Sequence, residues 1–320
     1  MLIIFHLLLL IISSIVLVKA TTVIIIALEK MSRFLKLREF SIAFILMAIA
    51  TSLPELFVGI TSAIEGTPIL TLGAVLGSNI VNLTLVTGIA VIASRGIPAR
   101  SIIFRRDALY MAIYAAIPLI LLSDRVLSRG DGVIILIFYG LYLVKLINQR
   151  SLFKKRSDHV TSREALYNLT LFIVSVVVLL ISADVLVRVA VRIAGDFNIG
   201  LGLVGIIFIA IGTSLPELVL EIRAVQKQHA SLALGDLVGS VVANSTLVLG
   251  IAAIISPIEV DLLDIFLVPL LYLFVILVIF EVFVRTDKKL VIWEGVFLFM
   301  MYIAFLLTEL ALGYLHSASG

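Results

Sequence analysis

One six-residue phrase constrains this chain more than any other feature, because the chain contains it twice. Ala50-Thr51-Ser52-Leu53-Pro54-Glu55 returns as Gly212-Thr213-Ser214-Leu215-Pro216-Glu217. Each copy sets a carboxylate and a proline inside a stretch otherwise apolar enough to lie in a bilayer, where an ionised group and a helix breaker are both costly. Incurring that cost twice, at matching places, points to a site rather than to packing.

The phrase belongs to a longer duplication. A shift of 162 positions superposes, without a gap, Ala48 on Ala210, Glu55 on Glu217, Gly73 on Gly235, Gly77-Ser78 on Gly239-Ser240, Asn82 on Asn244, Thr84 on Thr246, Gly88 on Gly250 and Ser94 on Ser256. Reuse of small residues and leucine in membrane helices accounts for the glycines and aliphatics. It does not account for matched Glu, Asn and Pro.

Composition identifies the solvent. Of 320 residues, 62% are apolar and 14% charged, against roughly a quarter charged in soluble domains. The chain therefore reads as an all-α, multi-pass integral protein of the cell membrane. With no cysteine and four scattered histidines (His6, His159, His229, His316), disulfides, thiolate metal sites and an imidazole zinc cluster are excluded. The net charge is +3 and the basic residues sit in short loops, a membrane-orientation pattern rather than a nucleic-acid surface. The apolar run from Leu2 has no positive charge before it and no small-residue cleavage site, so it reads as a retained first span.

A spanning helix needs about 20 apolar residues. Ten stretches qualify: 2–26, 41–64, 69–93, 107–123, 131–148, 165–190, 198–225, 230–255, 262–283 and 290–313. They divide into two five-helix repeats, 1–148 and 164–320, joined by a polar, basic cytoplasmic linker at 149–163. An odd number of spans per repeat forces the second copy to lie inverted. Loop charge gives an independent check. The odd-numbered loops hold Lys30, Arg33, Lys36 and Arg38; Arg95, Arg100, Arg105 and Arg106; Arg150, Lys154, Lys155, Arg156 and Arg163; Arg223 and Lys227; Arg285, Lys288 and Lys289. The opposite side has only Arg125, Arg129, Arg188 and Arg192, with Glu259, Asp261 and Asp264 in one loop. The positive-inside rule puts the odd loops in the cytoplasm and both termini outside.

Proline lacks an N–H and its ring pushes against the carbonyl four residues back, so Pro54 and Pro216 free the carbonyls of Ala50 and Gly212. A freed carbonyl at membrane depth must meet water, a neighbour or a cation. Thr51 lies one turn before Glu55, and Thr213 one turn before Glu217, on the same helix face. The next helix of each repeat carries Ser78 with Asn82, and Ser240 with Asn244, at the same spacing. Together these are carboxylate, hydroxyl, amide and backbone oxygens with no nitrogen or sulfur donor. Such a set suits a hard cation, since Ca2+ takes about six to eight oxygens in flexible geometry. Two converging glutamates also repel, so Ca2+, Na+ or protons must occupy them in turn. Competition for one carboxylate pair is a physical basis for exchange. Gly73, Gly77, Gly235 and Gly239 let the helices approach closely enough for these short side chains to meet.

Two inverted copies of a Gly/Ala-Thr-Ser-Leu-Pro-Glu helix, each followed by a Gly-Ser-x-x-x-Asn helix, resemble the alpha repeats of the cation/Ca2+ exchanger superfamily, most closely its prokaryotic sodium/calcium exchangers. The resemblance spans nearly the whole chain, with specific motifs at 47–94 and 209–256. It implies an antiporter of ten helices, with helices two, three, seven and eight at the centre and helices one and six sliding across them. It implies Ca2+ ligands Glu55 and Glu217 with Thr51 and Thr213. Sodium sites would use the carbonyls of Ala48 and Ala210 with Ser78 and Ser240, Ser52 and Ser214 would add hydroxyls, and Asn82 and Asn244 would line the middle. Transported ions are then Ca2+ and Na+, or H+, with the bilayer as the other partner and no cofactor, nucleic acid or obligate protein partner. The chain departs from the family pattern in four ways: Asn at both middle positions where one Asp is frequent, Ala74 and Asp236 where Asn is usual, Ala50 in place of glycine, and Lys19 where an acid is common.

Blander readings exist for each residue. Glu55 and Glu217 as a satisfied structural pair, Thr51, Thr213, Ser78 and Ser240 as packing hydroxyls, and Asn82 and Asn244 as interhelical glue all weigh against ligand roles. Asp236 shares a face with Ser240 and Asn244, and Glu221 follows Glu217 by one turn, so these acids either gather cations or pair with Arg223 or Lys227. Lys19 reads as a snorkelling side chain, and Asp184 with Arg188 as an i,i+4 ion pair. Proton-coupled Ca2+ antiport uses the same scaffold, but its members tend to carry Gly-Asn before the glutamate, whereas Thr-Ser supplies hydroxyls suited to sodium. A passive channel is disfavoured because inverted repeats around a midplane site are the architecture of alternating access. No nucleophile–base pair or nucleotide loop marks an enzyme.

Overall fold

The computed structural model describes residues 2–34, 51–98, 102–148, 162–197, 199–226, 230–260, 266–286 and 289–319. Among these, eight helices are long and apolar enough to cross a membrane. The fold is all-helical apart from two short strand pairs.

In chain order the elements are α1 (Leu2–Phe34), α2 (Leu53–Ile64), α3 (Pro68–Ala93), β1 (Ile97–Pro98), α4 (Ile102–Leu121), β2 (Val126–Leu127), α5 (Arg129–Asn148) and α6 (Ser162–Phe197). There follow α7 (Leu201–Gln226), α8 (Ala230–Ala243 continuing to Leu249–Ile255), β3 (Ile258–Glu259), α9 (Leu267–Thr286), β4 (Lys289–Leu290) and α10 (Ile292–Ser319). Eight of the ten stretches expected to span are represented among the long apolar helices. The second is described only over the 12 residues of α2, because 35–50 lie outside the described residues together with Ala48 and Ala50. The fifth forms a 20-residue helix, α5, that carries Arg129, Asp131 and Lys145 and is missing from the apolar set. Helices α1, α6 and α10 run past their expected ends, because helical geometry continues beyond the apolar stretch. Most of the expected linker also lies outside the described residues, and α6 begins within it at Ser162.

The molecule turns a soluble protein inside out. Ile4, Leu8, Ile12 and Ile15 along α1 and Leu271, Phe274, Val278 and Val282 along α9 face outward. Within lie Thr51, Ser52, Glu55, Ser78, Asn79, Asn82, Thr213, Ser214, Glu217, Asp236, Ser240 and Asn244, all buried. In a bilayer the outer belt needs no partner, whereas every inner polar group does. Helices α3 and α8, which carry half of these groups, are buried along most of their length.

Glycines set the close approaches at the centre. A Cβ on Gly205 would stand 2.6 Å from the carbonyl oxygen of Leu70, and one on Gly77 would collide with the carbonyl of Ile206. The first half of α3 therefore lies backbone to backbone on the start of α7. The periphery repeats the device: Gly88 of α3 crosses Gly295 of α10, and Gly132 of α5 crosses Gly250 of α8. Helices α1 and α6 share the most extensive helix contact among the described residues, closed at one end by His6 Nδ1 against Asp196 Oδ2 at 2.5 Å.

Each strand pair joins a loop of one half to a loop of the other. Ile97 lies opposite Leu290 and Pro98 opposite Lys289, antiparallel. Val126 likewise lies opposite Glu259 and Leu127 opposite Ile258. The first pair belongs to loops rich in arginine and lysine, the second to the loops that contain Asp124 and Glu259.

Candidate cation site

The duplicated phrase takes the same backbone conformation at its serine in both halves. Helix α2 starts after Ser52, at φ −83° and ψ 5°, and in α7 Ser214 takes φ −82° and ψ 3° between Ala210–Thr213 and Leu215–Gln226. The break is a single residue long: Ser214 N–H still donates to the Ala210 carbonyl at 3.1 Å, and Leu218 N–H to the Ser214 carbonyl at 3.2 Å. Proline thus resets the helix without unwinding it, and each glutamate falls in the first turn of the restarted segment, where the helix dipole favours negative charge.

The partner helices carry a second irregularity. At Asn82–Val86 in α3 and at Asn244–Val248 in α8 the chain makes one π-helical turn. A π turn displaces the regular ladder, and π turns concentrate at functional sites. The Thr84 hydroxyl donates to the carbonyl of Ile80, and the Thr246 hydroxyl to that of Val242 at 2.5 Å. The Asn-x-Thr glycosylation signals at Asn82 and Asn244 lie inside spanning helices and form these turns, each with its threonine as anchor. A third such signal, at Asn168, lies within α6, where its Nδ2 donates to the Glu164 carbonyl at 2.6 Å.

These devices bring the expected site residues together across the two halves. Thr51 Oγ1 lies 3.1 Å from Ser240 Oγ, and Thr213 Oγ1 lies 3.2 Å from Ser78 Oγ. Ser78 Oγ is also 3.4 Å from Glu55 Oε1 and 3.5 Å from the Ala210 carbonyl oxygen. One hydroxyl therefore touches the glutamate of its own half and the threonine and carbonyl of the other. Ser14 of α1 closes over α7, its Oγ standing 2.6 Å from where a Cβ on Gly212 would lie.

The remaining polar atoms are buried without protein partners. Both oxygens of Glu217, Oε2 of Glu55, both side-chain polar atoms of Asn82 and of Asn244, and the hydroxyls of Ser52 and Ser214 make no hydrogen bond. A buried unsatisfied polar group costs about 1 to 3 kcal/mol. A collection of them in one core is stable only if something else completes them, and bare oxygens suit a hard cation. Among the described residues no three His, Cys, Asp or Glu side chains converge to hold a metal by themselves. A cation held here would draw on hydroxyls, amides and carbonyls as well as on the glutamates.

Three contacts escaped the sequence reading. Asn79 Nδ2 donates to Ser245 Oγ at 2.8 Å, joining α3 to α8. Neither residue has its like in the other half, where Val241 and Leu83 stand, so the duplication could not reveal the pair. Thr51 Oγ1 lies 3.1 Å from Asp236 Oδ1, which draws Asp236 into the site rather than toward the loop. Arg188, expected to pair with Asp184 and found doing so at 3.1 Å, also reaches Glu65 at 2.8 Å and so ties α6 to the end of α2.

These features define a class: a multi-pass, all-helical membrane protein whose centre is a buried cluster of side-chain hydroxyls, amides and carboxylates. Comparison with known proteins gives the particular family. The sodium/calcium exchanger protein family matches residues 5–148 and 167–311, and the chain belongs to it. It is 32% identical over 228 residues to the inner membrane protein YrbG of Escherichia coli, covering 67% of this chain and 69% of that one. It is 26% identical over 319 residues to the sodium/calcium exchanger MaX1 of Methanosarcina acetivorans, covering 86% and 90%. A solved structure of the sodium-calcium exchanger NCX_Mj shares the fold, with a TM-score of 0.67 over 94% of this chain and 98% of that one at 23% identity. The protein is accordingly a membrane antiporter of the cation/Ca2+ exchange type.

Proposed function

We propose that the protein moves Ca2+ across the membrane in exchange for Na+, by alternating access around a site centred on Glu55 and Glu217. The observation that carries this reading is the pair of equivalent contacts between halves, Thr51 with Ser240 and Thr213 with Ser78, beside carboxylate oxygens that have no protein partner. In it Glu55 and Glu217 with Thr51 and Thr213 hold Ca2+. Ser78 and Ser240, with the carbonyls of Ala48 and Ala210 and the hydroxyls of Ser52 and Ser214, hold Na+ on the flanks, and Asn82 and Asn244 line the middle. Ca2+ and Na+ compete for the same two charges, and that competition couples their movement. Sodium is favoured as the counter-ion by the hydroxyl beside each glutamate and by the similarity to the sodium/calcium exchangers MaX1 and NCX_Mj.

The topology belongs to the same proposal: ten spans, two inverted five-helix repeats and both termini outside. It is supported by the loop charges and by the strand pairing, since β1 with β4 joins two basic loops and β2 with β3 joins loops of the other set. The family match in two segments, 5–148 and 167–311, supports the division at 149–163. The testing experiment is Ca2+ uptake by the reconstituted chain under an imposed Na+ gradient and, separately, an imposed pH gradient. Uptake driven by Na+ is expected. Uptake driven by pH alone would transfer the reading to proton-coupled antiport on the same scaffold.

A further inference from the structure

The duplication gives both halves the same ligands, yet the second half holds two buried acids with no counterpart in the first. Asp236 aligns with Ala74 and Glu221 with Gly59. Asp236 is 1% exposed and Glu221 2%, and they stand on α8 and α7, which pack on each other. Asp236 precedes Ser240 by one turn, so its carboxylate and that hydroxyl share a face. Thr51, just before α2, meets both: its Oγ1 is 3.1 Å from Asp236 Oδ1 and 3.1 Å from Ser240 Oγ.

The second carboxylate oxygen, Asp236 Oδ2, has no hydrogen-bond partner, nor does Glu221 Oε1. No ion pair among the described residues includes Asp236. A buried carboxylate left half-satisfied is costly, and a cation completes it. On the other flank the Thr213 hydroxyl lies 3.1 Å from the Ile209 carbonyl and 3.4 Å from that of Ala210. Ala74 offers it no acceptor.

We propose that Asp236 is a cation ligand which, with Thr51 and Ser240, forms a position for a hard monovalent cation, Na+, that has no equal on the opposite flank. The inference rests on the exchanger reading, in which Thr51 and Ser240 border a transported ion; it adds a carboxylate to that border. One carboxylate balances one positive charge, and two hydroxyls from different parts of the chain complete a small oxygen set. Glu221, one turn beyond Glu217, adds negative potential beside it. The two flanks then hold Na+ unequally, and the one bearing Asp236 empties last.

Asparagine at this position keeps the oxygen that accepts from Thr51 and removes only the charge. The test titrates Na+ against choline on the purified full chain, reading the rise in melting temperature and 22Na+ binding for wild type, Asp236→Asn and Asp236→Glu. Asp236→Asn is expected to need about tenfold more Na+ for the same response, with Asp236→Glu between it and wild type. A wild-type Na+ midpoint in Asp236→Asn overturns the proposal. If Asp236→Asn is not recovered folded, Asp236→Glu decides: a shifted midpoint supports the ligand, an unchanged one removes it. Ca2+-dependent stabilisation read on the same samples separates the two claims. Wild type without a Ca2+ response sinks the exchanger reading, whereas a Ca2+ response with an unmoved Na+ midpoint sinks this inference alone.

Discussion

Ser78 Oγ stands 3.2 Å from Thr213 Oγ1, two residues 135 positions apart and on different halves of the duplication. The same contact, carried forward by the repeat, is Thr51 with Ser240 at 3.1 Å. Each half thus completes the hydroxyl set of the other, so neither half alone makes the site.

Removing one of these hydroxyls should weaken cation binding without emptying it. Ser78→Ala is expected to cost about 1 kcal/mol of binding, close to a fivefold rise in the ion concentration for half-maximal exchange. Ser240→Ala should do the same on the other flank, read from Na+ and Ca2+ titrations of uptake. Equal loss of stability with unchanged titrations would return both serines to packing.

Lowering the pH adds a competitor for the carboxylates. Protons that neutralise Glu55 and Glu217 displace the cation, so acid should raise the Ca2+ concentration for half-maximal uptake and alkali should lower it. An unchanged half-maximal concentration across neutral pH would mean that no titrating carboxylate holds the ion.

Close helix contact at the centre should be intolerant of added bulk. Gly77→Val puts a branched side chain against the Ile206 carbonyl and the Ala210 methyl, where overpacking costs about 1 to 3 kcal/mol. The melting temperature in detergent should fall, whereas Gly140→Ala, inside α5 with nothing within 4 Å of its Cβ, should hold or raise it, since alanine favours the helix.

How α1 and α6 move is open to a direct test, because the chain has no cysteine to interfere. If these helices slide as one body, a short bifunctional thiol cross-linker joining His6→Cys to Asp196→Cys, in place of a 2.5 Å side-chain contact, should leave exchange running in linked as in unlinked vesicles. Loss of uptake on cross-linking alone would mean that the two move apart.

The glutamates, the hydroxyls and the prolines stood out because duplication separates signal from background: a polar residue that recurs after 162 positions of mostly interchangeable aliphatics marks a candidate site. Features without a repeat were hidden. Asp236 and Asn79 meet Thr51 and Ser245 through chain brought together by folding, and no sequence period reports such a meeting. The π turns at Asn82 and Asn244 were hidden for another reason. One extra residue in a turn shifts the faces of a helix, but these two helices are buried along most of their length, so the shift leaves no mark in the apolar pattern; the threonine two positions on bonds to a carbonyl behind it. Spans were legible from apolar content, and the fifth, read at 131–148, is a 20-residue helix, α5, although Arg129, Asp131 and Lys145 keep it out of the long apolar set.

The central claim is that Glu55 and Glu217 together hold the transported ion. It is tested most directly by 45Ca2+ uptake into Na+-loaded vesicles containing wild type, Glu55→Gln or Glu217→Gln, each first shown to be monodisperse. Gradient-driven uptake by wild type and background uptake by both variants is the predicted result; Ca2+ accumulation by either variant at the wild-type rate would contradict it.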